Sequence, residues 1–183
     1  MKHVYNLPRR LVREERGVAL VEFALVAPLL FLVLFGVLDF GKAINYWNTE
    51  TQMAAQASRI AAVNGGNTYT GSCVGGGTET TLADYIQCQT ATGELRNGSA
   101  GTFGATAAQV CIIPLAPPSG SPAGTAAGDI GQAIQTIVTT QYSWIPFLGI
   151  APITIRATAT MRIERHWADG TVGSTGATCP PPS

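Results

Sequence analysis

Val18–Leu38 reads VALVEFALVAPLLFLVLFGVL, twenty-one residues with one ionisable side chain, Glu22. A bilayer's hydrocarbon core is about 30 Å thick and takes about 20 helical residues. The run is therefore long enough to cross a membrane. Helices buried in soluble cores are rarely apolar for so long, so a membrane-spanning helix is the reading this stretch supports. Upstream, Lys2, Arg9, Arg10, Arg13 and Arg16 stand against Glu14 and Glu15, an excess of three positive charges. Beyond Gly17, acidic residues outnumber basic ones by nine to six. Positive flanks stay on the cytoplasmic side, so the N-terminus is expected inside and the remainder across the bilayer. A cleaved secretory signal is the competing reading. The apolar run is longer than a usual h-region, and Asp39-Phe40-Gly41-Lys42 offers no small-x-small cleavage site.

Outward from the span, Phe40 to Val63 (FGKAINYWNTETQMAAQASRIAAV) continues without proline until Asn64-Gly65-Gly66. Phe40, Ile44, Trp47, Thr51, Ala54, Ser58 and Ala61 recur at helical spacing, with Asn45, Asn48, Gln52, Gln56 and Arg59 opposite them. This pattern predicts one helix over 18–63, about 69 Å long at 1.5 Å per residue, its distal half packed through the first stripe on an antiparallel sheet of three or four strands. Pro28 lies within the span and is expected to bend the helix. Residues 64–80, rich in Gly, Thr and Ser, read as a loop. Leu82 to Leu95 reads as a short helix, Ala108 to Leu115 as a strand, Pro117 to Gly124 as an exposed loop and Ile130 to Tyr142 as a β-branched strand. Ile153 to Glu164 (ITIRATATMRIE) alternates with period two: Ile153, Ile155, Ala157, Ala159, Met161 and Ile163 on one face, Thr154, Arg156, Thr158, Thr160, Arg162 and Glu164 on the other. That is a half-buried strand of an antiparallel sheet. The apolar connection from Trp144 to Pro152 reads as a core-packed loop or as a contact with a partner or the membrane surface.

Cys73, Cys88, Cys111 and Cys179 all follow the span. An even count outside the cytoplasm implies disulfides, with three pairings open and Cys73 with Cys88 preferred. Without a CxxC pair, and with His3 and His166 remote from the cysteines, zinc is not expected, nor any other metal or cofactor. No GxSxG, HExxH or P-loop is present, so no catalytic residues are assigned. The acidic portion beyond the span lacks the basic stripe that nucleic acid requires.

The most informative stretch is the junction Arg13-Glu14-Glu15-Arg16-Gly17-Val18-Ala19-Leu20-Val21-Glu22-Phe23. A basic leader ends in glycine, an apolar helix begins at once, and a lone carboxylate occupies its fifth position ahead of an aromatic residue. A carboxylate inside a span is costly and reads as functional. The junction resembles the type IV pilin and pseudopilin signal. That resemblance implies cleavage by a prepilin peptidase between Gly17 and Val18, and pairing of Glu22 with the new N-terminal amine of a neighbouring subunit. The wider stretch, with Val21-Glu22-Phe23-Ala24, Pro28, Phe35-Gly36 and Asp39-Phe40-Gly41, is similar to the TadE-like pseudopilins of the tight-adherence (Flp) pilus system. Residues 140–164 resemble the closing strand of such proteins.

The resemblance implies an α+β, type IV pilin-like fold: a long N-terminal transmembrane helix continuing into a small exported domain with an antiparallel sheet. The expected organisation is a basic cytoplasmic leader over 1–17, a transmembrane helix over 18–40, its extension over 41–63, an exported α+β domain over 64–168 and a flexible C-terminal tail over 169–183. The chain is too long for a major Flp pilin, so a minor pilin or pseudopilin of the bacterial inner membrane is expected. Its implied partners are the prepilin peptidase, other pilins or pseudopilins, the inner-membrane assembly platform and the lipid bilayer. Small residues at Gly36, Gly41, Ala43, Ala54, Ala55 and Ala57 are expected to permit close helix packing. The alternative is a membrane-tethered binding or adhesin domain.

Overall fold

The computed structural model describes residues 11–74, 76–99, 104–144, 151–168, 173–175 and 179–181, with side chains described from Gly17 onward. The first ten residues of the leader, most of the Trp144-to-Pro152 connection and parts of the C-terminal tail lie outside the described residues. One helix, α1 (Leu11–Asn64), dominates the N-terminal half. It ends one residue from the predicted limit but begins seven residues before Val18, so Gly17 is inside it. Leu, Val, Arg and Glu over residues 11–16 are all compatible with helix, and a single glycine costs only about 1 kcal/mol. The helix also runs through Pro28 without interruption. There the carbonyl of Ala24 loses the N–H donor that any other residue would supply.

The chain divides into two compact units, Met1–Gly41 and Lys42–Ser183. In the first, the described face of α1 from Val18 to Leu38 is exposed almost throughout. In the second, the remainder of α1 is joined by β1 (Thr68–Ser72), β2 (Thr78–Thr81), α2 (Leu82–Gln89), α3 (Gly93–Asn97), β3 (Gly104–Ala105), β4 (Gln109–Pro114), β5 (Ala133–Ser143), β6 (Ile153–Arg162) and β7 (Gly173–Ser174). β5 is the centre of an antiparallel sheet of five strands. β6 pairs along it from Tyr142↔Ile153 to Ala133↔Arg162. Because β6 occupies one edge throughout, the other edge is shared by β3 (Ala105↔Tyr142) and β4 (Val110↔Val138), and β7 adds outside β4. The predicted strands over 108–115, 130–142 and 153–164 are all present, and the strand count exceeds the predicted three or four.

Residues 64–80 correct their reading as a loop. β1 and β2 form a separate antiparallel hairpin, with Thr68 opposite Thr81 and Ser72 opposite Thr78. Its residues are small and polar, with no apolar alternation to announce a strand. The predicted helix over 82–95 is two: α2, whose N-terminus is capped by the Thr81 hydroxyl accepting from Asp84 N (3.2 Å), and α3 after a break.

The core is built between one face of α1 and the sheet. Ala43, Tyr46, Met53, Ala54, Ala57, Ala61 and Ala62 join Val110, Ile112, Ile134, Val138, Tyr142, Ile155 and Ala157, with Leu82, Ile86 and Leu95 from α2 and α3. This rotates the predicted stripe. Ala54, Ser58 and Ala61 are buried as expected, but Phe40, Ile44, Trp47 and Thr51 are exposed, and Tyr46 and Glu50 take the inward positions. Ala43, Ala54 and Ala57 therefore bring α1 close to its own domain rather than serving a second helix. The end of α1 is stitched down by Glu164 N and Arg165 N, which donate to Ala62 O (2.9 and 3.2 Å). Gly65 follows with φ +76°, and a Cβ there would meet His166 O at 2.9 Å, so both backbone and space require glycine.

Candidate functional site: the helix junction and the disulfide-linked domain

The residues singled out from sequence fall into two groups, one in each unit. In the first unit, Gly17 lies in α1, and a Cβ at this position would meet nothing within 4 Å, so no packing demands glycine there. Val18, Glu22 and Phe23 are all exposed on the helix surface. Val18 and Glu22 are four residues apart, one turn along the same face. Pro28 is likewise exposed. Glu22 thus presents an exposed carboxylate among the apolar side chains of Val18–Leu38.

In the second unit, all four cysteines are oxidised, as Cys73–Cys88 and Cys111–Cys179. The first joins the end of β1 to α2, where the Tyr69 and Tyr85 rings also meet at a tilt, 4.5 Å between centres. The second ties Cys179 to β4, and Arg156 donates to Pro181 O (3.0 Å), holding 179–181 against β6. The segment predicted as tail also supplies β7. His166 approaches Asp129 through Nδ1 at 3.3 Å and is mostly exposed.

A polar cluster fixes the start of this unit's helix. Lys42 Nζ bonds Glu94 Oε1 (3.0 Å) and lies 5.7 Å from the centre of the Tyr46 ring, while the Tyr46 hydroxyl donates to Glu94 Oε2. Burial works against the Glu94 charge, but the hydrogen bonds from Tyr46 and Lys42 and the Lys42 charge outweigh it and hold the carboxyl below its usual range. Burial, with Glu94 beside it, pushes the Tyr46 phenol up. The Tyr46 ring lies 5.5 Å from that of Tyr142, which meets Trp144 edge-on at 5.2 Å.

One turn further along α1, Glu50 is fully buried, and neither carboxylate oxygen has a hydrogen-bond partner among the described residues. Burial pushes its carboxyl up to about 8, so it is mostly protonated at neutral pH. Sequence reasoning missed it, because a lone glutamate among NTETQ reads as surface. The sheet carries a shallow groove of about 500 Å³, mostly apolar in its lining, formed by Thr106, Ala107, Thr139, Thr154, Cys179 and Pro180. Among the described residues, no three His, Cys, Asp or Glu side chains are grouped to hold a metal ion.

A long apolar N-terminal helix followed by a small unit with an antiparallel sheet is a type IV pilin-like fold. Residues 17–59 match the TadE family model, described as TadE-like protein, under a quarter of the chain. The match begins at Gly17 and covers the span and most of the buried helix face. No curated protein and no solved structure matches the chain.

Proposed function

We propose that the protein is a minor pilin or pseudopilin of a tight-adherence (Flp type IVb-like) pilus, processed by a prepilin peptidase between Gly17 and Val18. The observation that carries this reading is the single helix running from the glycine junction through an apolar span into a disulfide-stapled unit. The positive leader keeps the junction in the cytoplasm and directs the C-terminal unit out of it. The bacterial inner membrane holds the protein before assembly, with the assembly platform and other pilins or pseudopilins as its partners.

The chemistry follows from charge in a low-dielectric medium. Cleavage creates an ammonium at Val18, one helical turn (about 6 Å) from the exposed Glu22, so a small axial offset between neighbouring subunits brings amine and carboxylate level. Each ion in the membrane costs several kcal/mol of lost hydration, and an opposite charge at contact offsets most of it. A neighbouring subunit's amine therefore draws Glu22 into register, and only processed chains carry that amine. Because Gly17 is helical, the peptidase must unwind the last turn before the span, and glycine lowers that cost.

The test is a Glu22→Ala chain as the only copy. Removing a charge from the span leaves membrane insertion at least as good as in the parent. Pilus number is expected to fall sharply with membrane-fraction protein unchanged. Normal piliation would refute the pairing role. The groove beside Cys179 favours a second reading, an exported binding module that a fibre tip would carry. Filling the groove with Thr139→Trp separates the two: loss of surface adhesion with intact piliation supports binding, and unchanged adhesion excludes it.

A further inference from the structure

Two asparagine–glycine steps occur in the chain, Asn64-Gly65 and Asn97-Gly98, and each closes a helix. The pairing is chemically labile. Asparagine is among the thermolabile residues, and a glycine after it offers a backbone nitrogen with no side chain to hinder attack. The deprotonated glycine nitrogen bonds to the asparagine Cγ, and the side-chain nitrogen leaves as ammonia. Water then opens the resulting succinimide ring at either carbonyl, leaving aspartate or isoaspartate. Overall, water is consumed and ammonia released, with no oxidant or enzyme required. Ring closure requires the asparagine ψ to leave its helical value, so local structure sets the rate at each step.

The fold treats the two steps differently. Asn64 Nδ2 donates to Gly66 O (2.7 Å) and to Thr68 O (3.0 Å), so two bonds hold its amide. The backbone on either side is pinned as well: Glu164 N and Arg165 N donate to Ala62 O, and Ala168 N donates to Gly65 O (2.9 Å). For Asn64 to react, the last turn of a 54-residue helix and both side-chain bonds must open together. Asn97 is exposed, and its side chain has no hydrogen-bond partner among the described residues. It ends α3, a helix of five residues. Gly98 N donates to Glu94 O (2.7 Å), and this bond must open, while Ser99 N to Ala105 O (2.8 Å) anchors the chain beyond. A helix this short has little stability of its own and opens locally at low cost.

We propose that Asn97 is a site of spontaneous deamidation in the folded protein and that Asn64 is shielded from it. The new carboxylate, or the lengthened backbone of isoaspartate, arises three residues past Glu94, to which Lys42 and Tyr46 are fastened. Neither asparagine lies in Val18–Leu38, and the chemistry does not depend on pilus function. The purified full chain in detergent is incubated at mildly alkaline pH, beside a sample reduced and unfolded in guanidinium chloride. Peptides containing Asn64 and Asn97 are then read by mass spectrometry, with aspartate and isoaspartate separated by chromatography. Unfolded, both asparagines are expected to convert at similar rates. Folded, Asn97 is expected to convert at least about tenfold faster than Asn64, because two side-chain hydrogen bonds must break first at Asn64. Conversion should vanish in Asn97→Gln, whose longer side chain would need a larger ring. Asn97 that persists in the folded chain while converting in the unfolded one overturns the proposal, and so does Asn64 that converts as fast as Asn97 in the folded chain. A mass shift that remains in the same peptide of Asn97→Gln overturns it too.

Discussion

The Tyr46 hydroxyl of α1 donates to the carboxylate of Glu94, forty-eight residues away on α3, and Lys42 bonds the other oxygen of the same carboxylate. One acidic side chain thereby fastens two successive turns of the helix to the domain. Tyr46→Phe keeps the ring against Tyr142 and removes only the hydroxyl. Glu94 is partly exposed and water replaces some of the lost bond, so the expected cost is about 1 kcal/mol. The sign with pH is fixed by Glu94. Its carboxyl is held low in the folded state, so its contribution is present above the ordinary carboxylate pKa and is lost as pH falls through the folded value. Urea unfolding of parent and variant should differ at pH 7 and converge in acid. A constant difference at all pH values would show that the hydroxyl does not act through the Glu94 charge.

Glu50 makes the opposite prediction. Its folded value of about 8 lies above the ordinary 4.5, so the folded state holds a proton that the unfolded state releases. Stability therefore falls as pH rises from about 4.5 to about 8, with a slope of at most about 1.4 kcal/mol per pH unit for one proton. Glu50→Gln should flatten this window. Glu50→Met should raise stability at pH 8, because an unpartnered buried polar group costs about 1–3 kcal/mol. Unfolding midpoints across pH 5–9 measure both. An unchanged slope in Glu50→Gln would place the titration elsewhere.

The two disulfides are ranked by the loops they close. Separations of fifteen and sixty-eight residues correspond, in the chain-entropy account, to about 3 and about 4.4 kcal/mol. Replacing Cys111 and Cys179 by alanine should therefore lower the unfolding midpoint more than replacing Cys73 and Cys88. A reversed order would mean that local strain or residual unfolded structure, not loop length, governs them.

The elements legible in the sequence are those whose pattern is local. The apolar run of Val18–Leu38 and the alternation of Ile153–Arg162 each announce an element within a few residues, and a helix and a strand formed there, although α1 starts earlier, at Leu11, and Ile153 and Met161 at the two ends of the strand are exposed. The orientation of the distal helix was not local. Hydropathy turns Ile44 and Trp47 inward, whereas the structure turns in Tyr46, whose partner Glu94 is remote in sequence, and Glu50, which has none among the described residues. The β1–β2 hairpin was hidden for the same reason: Thr-Tyr-Thr-Gly-Ser and Thr-Glu-Thr-Thr carry no apolar face, and the Cys73–Cys88 bond and the tilted Tyr69–Tyr85 contact that hold it link it to α2. At the junction, residue types were legible and the helical state of Gly17 was not, because one glycine is too small a penalty to stop a helix flanked by good formers.

The central claim is that this glycine is a processing site, and the structure separates that role from a folding one. A methyl group at Gly17 would touch nothing within 4 Å, so Gly17→Ala should leave the fold and its stability unchanged within about 0.5–1 kcal/mol, with the sign favouring alanine in a helix. Any loss of processing in that variant, or in Gly17→Leu, then belongs to the peptidase cleft. The direct measurement is the intact mass of protein extracted from its native membrane. The account predicts a chain that begins at Val18, with or without a methyl group on the new amine, and full-length precursor in Gly17→Leu. Native protein that retains residues 1–17 would contradict it.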